Sequence, residues 1–217
     1  MELATAGRSR QTGGMTDTVA RLCINLSDTD PAVWRAVDVP VEASLKMVHD
    51  IIQAAMGWQD YHLWEFEADE RRYGLPDPEW PDDTLAAAKN TKLKTLIDRG
   101  IRQLDYTYDM GDNWHHSIII EAVGPGQPDT KYPRYIDGAR RCPPEDCGGT
   151  PGFENFLEAI ANPKHPDHAE LIEWYDGCYG GAYQPNTIDE LIAKRRVAAI
   201  AIRRAAAKAA YAKRLNS

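Results

Sequence analysis

Arg102-Gln103-Leu104-Asp105-Tyr106-Thr107-Tyr108-Asp109-Met110-Gly111-Asp112-Asn113-Trp114-His115-His116-Ser117-Ile118-Ile119-Ile120-Glu121-Ala122 reads as two strands around a turn. Leu104, Tyr106 and Tyr108 alternate with polar residues before the turn; Trp114, His116, Ile118 and Ile120 alternate after it. A period of two puts each set on one face of a pleated ribbon. Met110-Gly111-Asp112-Asn113 makes the turn, with Gly111 able to take positive φ at no steric cost. A ribbon with one apolar face needs a second layer to bury it, so the flanking segments decide the fold class.

Upstream, residues 61–68 keep the same period, with His62, Trp64, Phe66 and Ala68 on one side and Leu63, Glu65 and Glu67 on the other. Residues 45–56 change to helical spacing, carried by Leu45, Val48, Ile52 and Ala55. Ser44 is a suitable N-cap and Gly57 a suitable stop. Residues 19–26 and 33–39 read as strands joined by the turn cluster Ser27-Asp28-Thr29-Asp30-Pro31. Pro76, Pro78 and Pro81 make residues 74–83 a loop, and residues 92–98 form a short helix stopped by Gly100. Downstream, the Gly- and Pro-rich residues 123–152 are expected to be irregular. Short helices are expected at 153–161 and 167–175, and an Ala-rich helix from Ile188 onward. The expectation is α+β: a mixed or antiparallel sheet of about five strands (19–26, 33–39, 61–68, 102–109, 114–122). Helix 45–56 would cover one face and the C-terminal helices would pack at an edge.

The 217 residues, 43% hydrophobic and 27% charged, suit one folded domain with appendages. The expected division is a loose leader at 1–17, a domain at 18–190 and a basic helical tail at 191–217, with Met15 a possible second translation start. No apolar run approaches the ~20 residues a membrane helix needs, and residues 1–14 lack the apolar core of a secretory signal. Four cysteines are too few for a disulfide scaffold, so reduced thiols and a cytoplasmic location are expected. The net charge of −8 argues against a uniformly basic nucleic-acid coat. The charge is nevertheless uneven. Eight basic residues after Glu190 carry +8, which leaves 17 basic against 33 acidic residues, −16, on the rest.

Five motifs occur in order: Pro31-Ala32-Val33-Trp34-Arg35; Ile52-Gln53-Ala54-Ala55-Met56-Gly57-Trp58; His62-Leu63-Trp64-Glu65-Phe66; Tyr108-Asp109-Met110-Gly111-Asp112-Asn113-Trp114; and Cys142-Pro143-Pro144-Glu145-Asp146-Cys147-Gly148-Gly149. Together they resemble the plasmid pRiA4b ORF-3-like family over about residues 18–190. The resemblance implies a shared fold and site in a family partly associated with plasmids and transposons, and it implies no reaction. Relatives often carry Tyr-Pro-x-Cys before the Pro-Pro-Glu-Asp loop, where this chain has Tyr132-Pro133-Arg134-Tyr135, so a metal role for that cysteine does not carry over. No serine-recombinase or Asp-Asp-Glu pattern supports the resolvase label given to some members.

The candidate pocket comprises His62, Trp64, Asp109, Asp112, Trp114, His116, Glu145 and Asp146. Asp109, Asp112 and His116 at one hairpin tip could bind a divalent metal or move a proton, provided they converge; the alternative is that the acids only bond their own turn and His116 packs inward. His62 is read as a core or pocket-lining histidine rather than a ligand, and His49 as core. Cys142 and Cys147, with Cys178 and His165 or His168, are a weak zinc set because four residues separate the first pair. Arg35, Arg140 and Arg141 are natural partners for Glu145 and Asp146. No G-x-S-x-G, P-loop or G-x-G-x-x-G is present. The favoured function is a non-enzymatic module of a plasmid- or transposon-associated family, binding a protein or small ligand in a recess shared by the hairpin tip and the proline-stiffened loop. Nucleic acid is a further partner through the basic C-terminal helix. No cofactor is firmly implied beyond a possible divalent metal. The alternative is a metal-dependent hydrolase built on Asp109, Asp112 and His116.

Overall fold

The quoted hairpin lies in the middle of a single sheet in the computed structural model, which describes residues 16–215. Its strands are β6 (Gln103–Tyr108) and β7 (Trp114–Pro125), paired so that Tyr108 faces Trp114 and Leu104 faces Ile118. On one flank lies β1 (Thr18–Leu26), then β2 (Val33–Pro40) and the edge strand β8 (Arg134–Ala139). On the other lies β3 (Trp64–Ala68), then β4 (Arg71–Gly74) and β5 (Leu85–Ala87). All neighbours are antiparallel except β4 and β5, so the sheet is mixed.

The buried face follows the two-residue period. Leu22 and Ile24 of β1, Tyr106 and Tyr108 of β6, Trp114, His116 and Ile118 of β7 and Phe66 of β3 are all buried. Each large apolar side chain so placed contributes roughly 1.5–3 kcal/mol. Helix α1 (Leu45–Met56) packs against this layer. Ser44 Oγ accepts from the Met47 amide at 3.2 Å, and Gly57 ends the helix at φ +102°. Short α2 (Leu93–Asp98) follows the β5 strand, and α3 (Gly149–Ala161) packs on α4 (His168–Tyr179). The last helix, α5 (Glu190–Leu215), lays Ala193, Val197, Ile200 and Ala201 against the body, meeting α1 and β8.

The α+β class and the mixed sheet are as expected, but the sheet has eight strands rather than five. Strands β4 and β5 are four and three residues long, too short to display a period. The expected irregular stretch 123–152 contains the end of β7, the whole of β8 and the start of α3. Only Tyr135 of β8 is buried, so its residues show no alternation, and its pairing with β2 alone makes it a strand. Gly138 belongs there for a steric reason: a Cβ would come within 2.8 Å of Arg35 Cδ and of the Trp34 carbonyl oxygen. The third correction is that β3 begins at Trp64, which leaves His62 in the preceding loop. Of the expected leader, residues 1–15 lie outside the described residues. Asp17 is tied to α5 by Arg204 at 2.6 Å and Lys208 at 2.6 Å, and the Arg204 bond holds its carboxyl down at about 2.

Candidate functional site

The hairpin turn is built by Asp109 and Asn113 rather than by its glycine. Asp109 and Asn113 take φ +59° and +56°, whereas Gly111 does not enter the left-handed region. Asp and Asn tolerate that conformation because their short side chains bond the local backbone. Asp109 Oδ1 accepts from the Gly111 amide at 2.8 Å and the Asp112 amide at 3.3 Å. The Asp109 amide donates to the Leu63 carbonyl at 2.9 Å, which draws the His62 loop against the tip.

The Pro-Pro-Glu-Asp segment is clamped on the same spot. Trp58 Nε1 donates to the Pro143 carbonyl at 3.0 Å, and the Gln59 amide donates to Glu145 Oε1 at 2.7 Å. Tyr108 Oη donates to the Glu145 carboxylate at 3.1–3.2 Å and accepts from the Tyr61 amide at 3.1 Å. The Glu145 amide donates to Tyr179 Oη at 2.8 Å, and the Gly148 amide donates to Asp112 Oδ2 at 3.2 Å. Two glycines let α3 begin this close. A Cβ on Gly149 would stand 2.5 Å from the Asp112 carbonyl oxygen, and one on Gly152 would land on the Cys147 carbonyl oxygen. Gly152→Ala is therefore expected to destabilise the protein by about 1–3 kcal/mol, although alanine is the better helix former by ~1 kcal/mol. Urea unfolding checks the sign; a stabilised variant would contradict the close approach.

These two clamps bring three carboxylates around one imidazole. His62 Nε2 stands 3.2 Å from Asp146 Oδ1, 3.5 Å from Asp109 Oδ2 and 3.9 Å from Glu145 Oε2. That nitrogen is shielded from solvent and makes no hydrogen bond among the described residues. His62, Asp109 and Asp146 offer donor atoms within 4.8 Å of one another. Ligand atoms about 2.1 Å from a tetrahedral ion stand roughly 3.4 Å apart, close to the 3.2 and 3.5 Å that separate His62 Nε2 from Asp146 and Asp109. No lysine or arginine among the described residues pairs with Asp109, Glu145 or Asp146. Burial raises the Glu145 carboxyl above its usual range, against the pull of Gln59 and Tyr108. A second cation-sized group, His49, Asp50 and Asp60, differs in one respect. Lys46 Nζ lies 2.7 Å from Asp50 and 3.5 Å from Asp60, so an ammonium already fills that place.

The other candidates add no donor atom to this group. His116 is fully buried, its Nδ1 facing the Trp114 and Tyr106 carbonyls at 3.0 and 3.2 Å, and burial pushes it down to about 3. It does not join Asp109 in a donor group, and Asp112 is spent on Gly148. Trp64 stacks on His49 at 4.0 Å, and Trp114 packs against Trp58 and Phe153. Cys142 is buried, its thiol pushed up to about 12, and the Cys147 thiol is raised by burial as well; neither joins a donor group among the described residues. Arg35, Arg140 and Arg141 do not pair with Glu145 or Asp146. Tyr108, Gln59 and Tyr179, which hold Glu145, carry no mark of that role in the sequence: alternation gives Tyr108 only a face of its strand.

The sequence profile of the plasmid pRiA4b ORF-3-like protein family matches residues 18–191. The chain belongs to that family. The chain is similar to the uncharacterised protein y4hQ of Sinorhizobium fredii, 40% identical over 186 residues that cover 83% of this chain and 95% of the relative. A crystal structure of a protein of unknown function from Methanosarcina mazei Go1 superposes with a TM-score of 0.71 at 29% identity, covering 80% of this chain and 96% of that one. Among the described residues, no helix is long and apolar enough to cross a membrane.

Proposed function

We propose that this pRiA4b ORF-3-like protein is a binding module organised around a divalent-cation centre, with His62, Asp109 and Asp146 as ligands and Glu145 beside them. The carrying observation is the gathering of three carboxylates on His62 Nε2 with no lysine or arginine among the described residues to balance them. Like charges held this close repel, and a cation between them relieves that repulsion. An imidazole with carboxylates suits Zn²⁺ or Mn²⁺ better than Mg²⁺. Tyr61, Leu63 and Met110, chain neighbours of His62 and Asp109, are exposed and give the centre an apolar rim for a partner.

The test is thermal unfolding with and without Zn²⁺, Mn²⁺ or Mg²⁺. Zn²⁺ or Mn²⁺ at a hundredfold excess over Kd should stabilise the wild type by about 2.7 kcal/mol. Asp109→Asn keeps the Oδ1 bonds of the turn and should lose the response, as should His62→Ala. A wild type indifferent to all three ions, or an Asp109→Asn variant that responds fully, would overturn the reading.

Glu145 favours one second reading, a metal-dependent hydrolase. Its buried, raised carboxyl lies next to the proposed ligands, where a general base for metal-bound water would stand. Metal-dependent turnover of a generic phosphoester, lost in Glu145→Gln with metal affinity retained, would favour it. Nucleic-acid binding through α5 has narrower support. Of the eight basic residues there, Lys194, Arg196, Arg204, Lys208 and Arg214 are already engaged, leaving Arg195, Arg203 and Lys213 as exposed contributors.

A further inference from the structure

A cavity of about 240 Å³ opens between the C-terminal end of α1, the Pro143-Pro144 segment and the start of α5. Three arginines line it: Arg35, Arg141 and Arg196. None of the three has a carboxylate within ion-pair distance among the described residues, which is unusual for arginines drawn into a protein body.

Arg35 is the most constrained, at 1% exposure. Its Nε donates to the Ala55 carbonyl at 3.0 Å, and its Nη1 donates to the Trp34 and Ala139 carbonyls at 2.7 and 2.9 Å. These bonds anchor the group but leave its charge uncancelled, and no hydrogen bond from Nη2 is found among the described residues. Arg141 donates from Nη1 to Tyr175 Oη at 3.3 Å, while its Nε is buried without a partner. Arg196 donates to the Trp58 carbonyl at 2.9 Å.

The phenols add donors. Tyr175 Oη accepts from Arg141 and Tyr179 Oη accepts from the Glu145 amide, so each hydroxyl proton remains available. The acids on the wall are Glu145, whose carboxylate accepts from Gln59 and Tyr108, and Asp189, whose Oδ1 accepts from the Ile192 amide. Three guanidinium groups thus face two carboxyls, and the unspent atoms are mostly donors, with Asp189 Oδ2 the remaining acceptor.

We infer that this cavity is a binding site for a phosphoryl-type oxyanion, held by Arg35, Arg141 and Arg196 with the Tyr175 and Tyr179 hydroxyls. Guanidinium forks match the oxygens of phosphate in pairs, and a dianion with many acceptors uses this donor set more fully than a single carboxylate does. Glu145 stands between this cavity and the cation centre of His62, Asp109 and Asp146, lining the one and lying 3.9 Å from His62 Nε2 in the other, so the test excludes metal.

The full chain, kept in EDTA so that metal plays no part, is titrated calorimetrically with inorganic phosphate, phenyl phosphate and succinate against chloride at matched ionic strength. Saturable binding of phosphate and phenyl phosphate is expected. Arg141→Gln and Arg196→Gln, both at half-buried positions, should each weaken it about tenfold. Arg203→Gln, on the exposed side of α5, should leave it unchanged, and melting curves confirm that all three variants fold. If phenyl phosphate binds and inorganic phosphate does not, the aromatic wall is part of the site and the inference stands. Three results would overturn it: no saturable phosphate or phenyl phosphate binding by the wild type, undiminished binding by the Arg141→Gln/Arg196→Gln double variant, or tighter binding of succinate than of either phosphate.

Discussion

Between pH 6.5 and about pH 3 the folded state is expected to lose several kcal/mol of stability, chiefly through His116. Its ring is enclosed by Trp58, edge-on at 5.3 Å, and Tyr106. Its Nδ1 donates to backbone carbonyls, so Nε2 is the site that must take a proton, and no acceptor meets it. Burial therefore pushes this base from 6.5 down to about 3. His49 moves the same way, to about 4, because burial outweighs the attraction of Asp60. Between the folded and unfolded values the unfolded chain holds protons that the native state refuses. The stabilisation is complete above about pH 6.5 and drains as pH falls toward the folded values. Glu145, raised by burial, offsets part of the loss, and Asp17 adds to it below pH 4. Each excess proton contributes a slope of about 1.4 kcal/mol per pH unit. Urea titrations at pH 6.0 and 5.0 should show a slope approaching two protons, falling by about one in His116→Leu. A wild-type slope below one proton would refute the buried neutral pair.

Trp114→Ala should cost about 3–5 kcal/mol, the range for removing a buried aromatic from a packed core, and lower the melting temperature by roughly 10 °C. Trp114 is 1% exposed, between Trp58 and Phe153. It also faces Tyr108 across the hairpin, and Tyr108 holds Glu145. The void would thus open beneath the site, so metal response and stability should fall together. Trp114→Phe should recover most of the stability. A loss under about 2 kcal/mol for the alanine variant would mean that the surrounding rings collapse freely into the space.

The central strands and α1 were legible because a half-buried sheet and an amphipathic helix impose periods on the residues themselves. Ala20, Leu22 and Ile24, or Trp114, His116 and Ile118, declare a face without any partner in view. Strand β8 does not, since its burial comes from β2 and from the passage of Arg35 over Gly138. The site was half legible. Asp109, Glu145 and Asp146 were marked by turn and loop chemistry. His62 reads from the sequence as a pocket-lining histidine, but parity sets it on a strand that begins two residues later and so does not show that it meets these acids. His116 looked equally eligible in one dimension; only packing reveals that it points into the core. The solitary arginines around the α1 terminus left no trace in the sequence, where nearby acids suggested partners they do not have.

The seating of α5 has a practical corollary for anyone cutting the gene. Val197, Ile200 and Ala201 cover apolar surface on α1 and β8 well past the end of the family match at residue 191. A shortened product stopping near Ala193 would bare a greasy strip and lose the Arg196 contact to Trp58 along with the Arg204 tether to Asp17. Such a product would clump, and any failure to bind DNA would report damage to the body rather than a missing basic arm.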